Sequence, residues 1–462
     1  MPGMNDNFSS RAEHACKGTY AFVSLGCPKN LVDSERMLGL LQLDGYRLVD
    51  DPDGADFVLV NTCGSIEAAR REAYATIDEM LELKAAGRLR GVIVAGCLAE
   101  RQRQALLEDR PEIDCLLGVF AREEVTHAAD RLLGGQQEQR VLFRPAPVQP
   151  LDDTRSLRVT PRHYAYLKIS EGCDRKCTFC TIPKIRGPYA SKPIPTIIEE
   201  AKQLAADGVR ELILVAQDTT YYGIDLTGRP QLTELLGALE QVDVEWIRVM
   251  YLYPMYLDDA LIETFAQSDK ILPYIDLPLQ HIDDHILRRM ARRITRQQTE
   301  ELLAMLRSRI PGLTLRTTLI TGFPGEGVEQ FEALREFVRT EQFERLGVFA
   351  YSAEPDTPAA RLPEQVPESV RVERRDELMA LQQEIVFANN KAIIGQTRRV
   401  LLDYPLPEQP QVWVGRTSGD APEIDTVVYV TEQANQSFSA GMFVDCEIVA
   451  TQDYDLVAVA YS

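Results

Sequence analysis

Lys168-Ile169-Ser170-Glu171-Gly172-Cys173-Asp174-Arg175-Lys176-Cys177-Thr178-Phe179-Cys180 places three cysteines in the spacing C-x3-C-x2-C. The apolar run Tyr164 to Ile169 leads into it and reads as a strand. Three thiolates with no fourth partner nearby do not close a tetrahedral zinc site, which takes four protein ligands. An iron–sulfur cube differs, because three cysteines can hold three irons and leave the fourth open to a small molecule. A zinc knuckle completed from afar and three unrelated buried thiols are the alternatives.

Nine cysteines are present: Cys16, Cys27, Cys63, Cys97, Cys115, Cys173, Cys177, Cys180 and Cys446. Cys27, Cys63 and Cys97 repeat one arrangement. An apolar run precedes each (Tyr20 to Leu25, Phe57 to Val60, Val92 to Ala95), a turn with Gly26, Gly64 or Gly96 adjoins it, and a helix-like segment follows. Strand, turn and helix recur three times, with crossovers long enough for parallel strands. In an open parallel sheet the residues just past the strand ends gather along one edge, so these thiols converge although 36 and 34 residues separate them. The expectation is a second three-cysteine 4Fe–4S cluster; three small residues filling tight turns are the alternative. Cys16, Cys115 and Cys446 read as inert thiols.

An odd number of cysteines in such groups argues for a reducing compartment rather than a disulfide framework. Met1 to Lys17 is polar and lacks a signal-peptide core. No apolar run reaches the ~18 residues of a membrane helix. The expectation is a soluble cytoplasmic protein with no membrane partner.

At 462 residues the chain is long enough for about three domains. The reading is an α/β multidomain protein. An N-terminal open parallel α/β sheet domain spans 18–133, and a linker at 134–159 opens with Gly134-Gly135-Gln136-Gln137 and contains Pro145, Pro147 and Pro150. Residues 160–389 alternate strand candidates (Tyr164 to Ile169, Glu211 to Ala216, Trp246 to Met250, Tyr274 to Leu277, Thr314 to Ile320, Leu346 to Ala350) with helix candidates such as Thr196 to Ala206, Leu232 to Gln241 and Gln298 to Ser308. Six βα repeats imply a parallel sheet curved into a partial barrel, with its chemistry on loops at the C-terminal strand ends. Residues 391–462 hold five short strand candidates, from Thr397 to Asp403 through Leu456 to Ala460, which suit a small OB-like β-barrel.

The central triplet with Phe179 before its last cysteine resembles the radical S-adenosylmethionine (SAM) enzymes. With the three N-terminal cysteines and the terminal barrel, the chain resembles the methylthiotransferases from Tyr20 onward. Ser24-Leu25-Gly26-Cys27-Pro28-Lys29-Asn30, Asn61-Thr62-Cys63 and Ile320-Thr321-Gly322-Phe323-Pro324-Gly325-Glu326 carry that likeness. Val215-Ala216-Gln217-Asp218-Thr219-Thr220 is similar to the branch that modifies ribosomal protein S-twelve; the transfer-RNA branch, which methylthiolates an adenosine, is the alternative.

The resemblance implies a radical SAM partial (β/α)6 barrel, a terminal TRAM domain, two 4Fe–4S clusters and SAM. Cys173, Cys177 and Cys180 would hold the cluster that cleaves SAM to a 5′-deoxyadenosyl radical, which takes hydrogen from an aspartate β-carbon. Cys27, Cys63 and Cys97 would hold the cluster that supplies the methylthio group. The partners implied are ribosomal protein S-twelve, free or on the small subunit, and an electron-donor reductase. Two clusters in one reaction also imply a shared cavity between the first two domains.

Around SAM the expected contacts are Phe179, Gln217, Asp218 and Gly322. For the glycine-rich run at Gly322 a plain turn is the rival, and for Gln217 and Asp218 a solvated loop. Gln280 and His281 follow the fourth strand, where His281 either lines the cavity or is an ordinary hydrogen-bonded histidine. His285 reads as a helix residue, and His14 and His127 have no metal-like company. Met250 and Met255 flank an aromatic run and read as core filling. Arg288, Arg289, Arg292, Arg293 and Arg296 read as one solvated helical face, with RNA or a SAM carboxylate as the rival partner.

Charge bears on the substrate. Seventy acidic against 50 basic residues give a formal net charge of −20, which disfavours binding a phosphate backbone without forbidding a local RNA contact. From Lys391 onward four basic residues face ten acidic ones. TRAM domains are usually RNA binders, and an acidic one would instead steer a basic protein.

Overall fold

The computed structural model describes residues 16–461 except 137–138, 148, 152, 155 and 433–436. His14 and nearly all of the Met1 to Lys17 segment lie outside the described residues. The described chain divides into two compact units, one built mainly from residues up to Pro145 and the other from Arg158 onward.

The first unit is a six-stranded sheet in the order Tyr46–Leu48, Gly18–Ser24, Phe57–Thr62, Gly91–Gly96, Cys115–Leu117, Val141–Leu142. Every neighbouring pair is parallel. Phe57–Thr62 and Gly91–Gly96 are buried along their whole length, as strands covered on both faces must be. Two separate apolar clusters line the faces, one around Tyr20, Phe57 and Leu117 and one around Val58, Val60 and Ile77. The first helix, Pro28–Leu43, begins directly after Cys27 with proline at its start, where the missing N–H costs nothing. Three strands escape the sequence reading because two or three residues are too few to show alternation. Val141–Leu142, inside the stretch read as linker, pairs with Cys115–Leu117 as the sixth strand, and Leu157 donates its N–H to Glu35 O at 2.9 Å within the same unit.

In the second unit six parallel strands follow one another in sequence order: Tyr164–Lys168, Glu211–Val215, Trp246–Val249, Tyr274–Asp276, Thr314–Thr321 and Arg345–Ala350. They form two three-stranded sheets rather than one continuous arc. A parallel bridge between Ile247 and Ile271, and the Leu252 N–H to Asp276 O bond of 2.9 Å, span the gap. Just past the third strand Tyr251 is left-handed, with φ 61°, and its N–H donates to Asp276 Oδ2 at 2.9 Å. Helices including Ile194–Ala206, Leu232–Leu239, Asp259–Gln267 and Arg296–Arg309 pack on one apolar core with these strands. Among the described residues no helix is long and apolar enough to cross a membrane.

The last five strands, Thr397–Leu406, Gln409–Arg416, Val428–Thr431, Phe443–Gln452 and Asp455–Ala460, close into a barrel. It docks on the starting ends of the six parallel strands, opposite the cysteine loop. Glu211, wholly buried at the start of the second strand, accepts from Arg248 Nε at 2.8 Å and from Arg416 Nη1 of the terminal barrel at 2.6 Å. Arg416 also grips Asp403, which holds His163 at 2.7 Å. Asp425 takes the Tyr274 hydroxyl at 2.6 Å and lies 3.4 Å from Arg316, while Asp420 pairs with Arg345. Three of the ten terminal acids are therefore neutralised inside the docking seam, and the outward charge is smaller than the count from sequence.

Burial alone would raise the Asp403 carboxyl, but the His163 hydrogen bond and the Arg416 charge outweigh it and hold the group below its ordinary 3.8. A depressed folded-state value adds stability above pH 3.8 that is lost as pH falls through the folded value. The urea midpoint should accordingly drop more steeply as pH falls below 3.8 in the native protein than in Asp403→Asn. Glu211→Gln leaves two buried guanidinium groups short of a counter-charge and should cost about 3–5 kcal/mol in urea unfolding.

Candidate functional site

The central cysteine loop is fixed by backbone contacts from several directions. Gly172 sits at φ +70°, and a side chain there would collide with the Pro188 carbonyl. Cys173 N–H donates to Gly187 O at 3.1 Å, Thr178 binds Met290 O and Arg289 O at 3.1 and 2.7 Å, and Thr178 O accepts from Ala359 N at 2.9 Å. Phe179 packs edge-on to Phe323 with centroids 6.4 Å apart. Together these turn the three thiols toward one cavity of about 280 Å³, lined also by Phe179, Gln217, Tyr251, Gln280 and Arg292.

The thiols sense one another. Burial pushes Cys173 up to about 12, with the charges of Cys180 and Cys177 adding to the rise. Burial likewise pushes Cys180 up to about 11, and Cys177 adds to it. Iron must therefore displace protons to bind here. Arg292, buried, places Nη1 3.7 Å from Cys177 Sγ and stacks its guanidinium 4.0 Å from the Tyr253 ring centroid. A cation beside clustered thiolates suits a site that gains negative charge on loading. Among the described residues no three His, Cys, Asp or Glu side chains are placed to hold a metal ion. Ligands of a cube bind separate irons and need more room than ligands of a single ion. The donor set, the open cavity and the cation fit a cluster.

In the first unit Cys27, Cys63 and Cys97 follow three adjacent strands, Gly18–Ser24, Phe57–Thr62 and Gly91–Gly96. A β-carbon on Gly26 would lie 2.8 Å from Cys63 Cβ, and one on Gly64 would lie 3.0 Å from the Cys97 carbonyl carbon. The three turns are thus in contact. Asn30 Nδ2 donates to Leu25 O at 2.6 Å, Asn61 Nδ2 donates to Asn30 O at 3.0 Å, and Arg101 Nη1 donates to Gly64 O at 2.8 Å. The sheet brings these thiols to one edge. Cys115 is in a strand, buried with its thiol raised to about 12, as is Cys446 in the terminal barrel.

Other expected residues are placed differently. Asp218 does not line the cysteine cavity. It caps a short turn through Tyr221 N, accepts from Thr220 Oγ1 at 2.6 Å and pairs with Arg175 Nε at 2.6 Å. Gly322 does not line the cavity either: its N–H goes to Glu326 Oε1 at 2.8 Å, and a side chain there would meet Arg371. His281 is buried and hydrogen-bonded, with Nε2 3.1 Å from Glu326 Oε2 and Nδ1 accepting from Asp283 N. The arginine run is not one helical face. The helix Asp284–Arg289 ends before left-handed Ala291, and the next begins at Arg296. Arg292 turns inward as a result, Arg289 pairs with Glu364 and Arg296 with Glu300.

Sequence reasoning missed a second cavity of about 350 Å³ beside the first, walled by Arg175, Tyr221, Tyr253, Met255, Tyr256 and Arg293. The aromatic run Tyr251 to Tyr256 after a strand end was the available signal. Met250 is buried as core filling, but Met255 lies 3.9 Å from Arg175 Nη1.

Residues 19–118 match the uncharacterized protein family UPF0004, 167–338 the radical SAM superfamily and 394–460 the TRAM domain. A Lachnoclostridium phytofermentans protein described as ribosomal protein uS12 methylthiotransferase RimO is 45% identical over 95% of this chain and 99% of its own. A Myxococcus xanthus protein of the same description is 46% identical over 94% and 90%. The radical SAM methyltransferase TsrM of Kitasatospora setae, solved with cobalamin and a 4Fe–4S cluster, shares the fold over 74% of this chain and 76% of its own, with TM-score 0.55 and 14% identity.

Arg292→Met removes the guanidinium that lies 3.7 Å from Cys177 Sγ. A cluster on these thiols should then become harder to reduce, its midpoint on the order of 50 mV more negative by potentiometric EPR, where tenfold in a one-electron equilibrium is about 59 mV.

Proposed function

The chain belongs to the ribosomal protein uS12 methylthiotransferases, and we propose that it transfers a methylthio group to the β-carbon of an aspartate in that protein. The observation carrying this reading is identity of 45% to such an enzyme along 95% of the chain, with both cysteine triplets at the C-terminal ends of parallel strands. Cys173, Cys177 and Cys180 would hold one 4Fe–4S cluster, and Cys27, Cys63 and Cys97 a second. When bound, the clusters and SAM supply the radical and the sulfur chemistry.

The protein's own residues position and shield. Phe179 and Phe323 form an apolar wall beside the thiols. Gln217, Tyr251 and Gln280 line the same cavity. Gln280 is left-handed at φ 73°, pinned by its N–H to Thr318 O and by Ile320 N–H to its own carbonyl, both 2.8 Å. Such conformations persist where surrounding structure fixes them, often at functional sites. Arg292 offsets the negative charge of the thiolates. An electron-donor reductase is implied because the chemistry consumes electrons.

The test is mass spectrometry of uS12 and of bulk transfer RNA, each incubated separately with reconstituted, reduced enzyme, SAM and sulfide. One methylthio group on an aspartate of uS12 is the expected result. The same gain on transfer RNA with uS12 untouched would move the enzyme to the RNA-modifying branch. Replacing Cys27, Cys63 and Cys97 with alanine should abolish methylthio transfer while reductive SAM cleavage persists; replacing the central triplet should abolish both.

A further inference from the structure

We propose that the second cavity is the seat of the substrate side chain, with Arg175, assisted by Lys176 and Arg293, binding its carboxylate. The inference rests on the aspartate reading above, because aspartate carries a carboxylate one bond from the reacting β-carbon. The cavity, about 350 Å³, shares Cys173, Arg175 and Tyr253 with the cysteine cavity. A group held in one therefore borders the other.

Arg175 is held as a binding group rather than a surface charge. Its Nε reaches Asp218 at 2.6 Å, and the guanidinium lies 4.2, 4.8 and 5.5 Å from the ring centroids of Tyr253, Tyr221 and Tyr256. Nη2 is buried with no hydrogen-bond partner. An unsatisfied buried N–H is costly, and the planar fork of a guanidinium matches a planar carboxylate in geometry and charge. Two carboxylates also line this cavity, and both are engaged: Asp218 by Arg175, Thr220 and Tyr221, and Asp174 by Tyr189 N–H at 3.0 Å. Lys176 and Arg293 make no ion pair among the described residues, so the cavity has cationic groups to spare in a chain of net charge −20.

The walls are also fixed. Tyr256 and Ala291 stand at φ 70° and 56°, left-handed conformations that non-glycine residues adopt only when their surroundings impose them. An anchored carboxylate leaves its neighbouring carbon few orientations, which is the advantage a positioning residue gives to a reaction at that carbon.

The test compares wild type with Arg175→Gln, Arg175→Lys and the double variant Lys176→Gln/Arg293→Gln, each checked for iron content, in steady-state methylthiolation of uS12. The KM for uS12 should rise about tenfold or more in Arg175→Gln, as expected for losing a charged hydrogen bond. The KM for SAM should move far less, and Arg175→Lys should recover part of the loss. A uS12 variant with asparagine at the target should compete poorly against wild type, and this discrimination should vanish in Arg175→Gln. An unchanged uS12 KM in Arg175→Gln overturns the proposal, as does a rise confined to the SAM KM. If Arg175→Gln fails to load iron, the double variant decides: a raised uS12 KM supports the site, and an unchanged one overturns it. If wild type itself modifies no aspartate of uS12, the functional reading fails rather than the site.

Discussion

The approach of Gly172 to the Pro188 carbonyl is the constraint on which both cavities depend. No side chain fits between them, so the chain leaves the first barrel strand in one direction and delivers Cys173 to the mouth. From there Thr178 is tied to Arg289 and Met290, and through Ala359 to the segment beyond the sixth strand. Arg175, between the first two cysteines, is tied to Asp218 at the end of the second strand. One short loop thus takes its shape from segments spread along the whole barrel. Its thiols converge although none is in a regular element, and the rigid strands rather than the loop set their positions.

At the other end of the barrel the physics is ionic. Glu211, Arg248, Arg416, Asp403 and His163 are all buried and mutually bonded. Buried charges gain little over well-packed apolar groups, but removing one partner is severe. Such a network fixes how the terminal barrel seats. It also alters the meaning of that barrel's acidity, because Asp403, Asp420 and Asp425 answer arginines of the seam rather than a partner in solution. The charge argument for a basic protein substrate therefore rests on the remaining, outward acids, and relatives at 45% and 46% identity carry more weight.

Much of this was legible in sequence. The six barrel strands and the five terminal strands read correctly because apolar β-branched runs end in clear turn residues, as Glu211 to Val215 does. The placement of the cysteines was also legible: spacing put three in one loop, and the repeated strand–turn–cysteine pattern put three others at the ends of adjacent strands. What failed depended on tertiary placement. Val141–Leu142 is too short to announce itself among glycines and prolines. The arginine run mimicked helical spacing, but left-handed Ala291 breaks it and sends Arg292 inward. Arg175 and its tyrosines meet only because the chain past the third strand folds back through left-handed Tyr251 and Tyr256, and no periodicity encodes that.

The central claim is that each cysteine triplet holds its own cluster. Anaerobic Mössbauer spectroscopy with iron quantitation on wild type and on the two triple-alanine proteins tests it most directly. The account predicts about eight irons per chain in wild type and about four in each triple variant, all as 4Fe–4S signals. Four irons in wild type, with one triple variant indistinguishable from it, would contradict the two-cluster account.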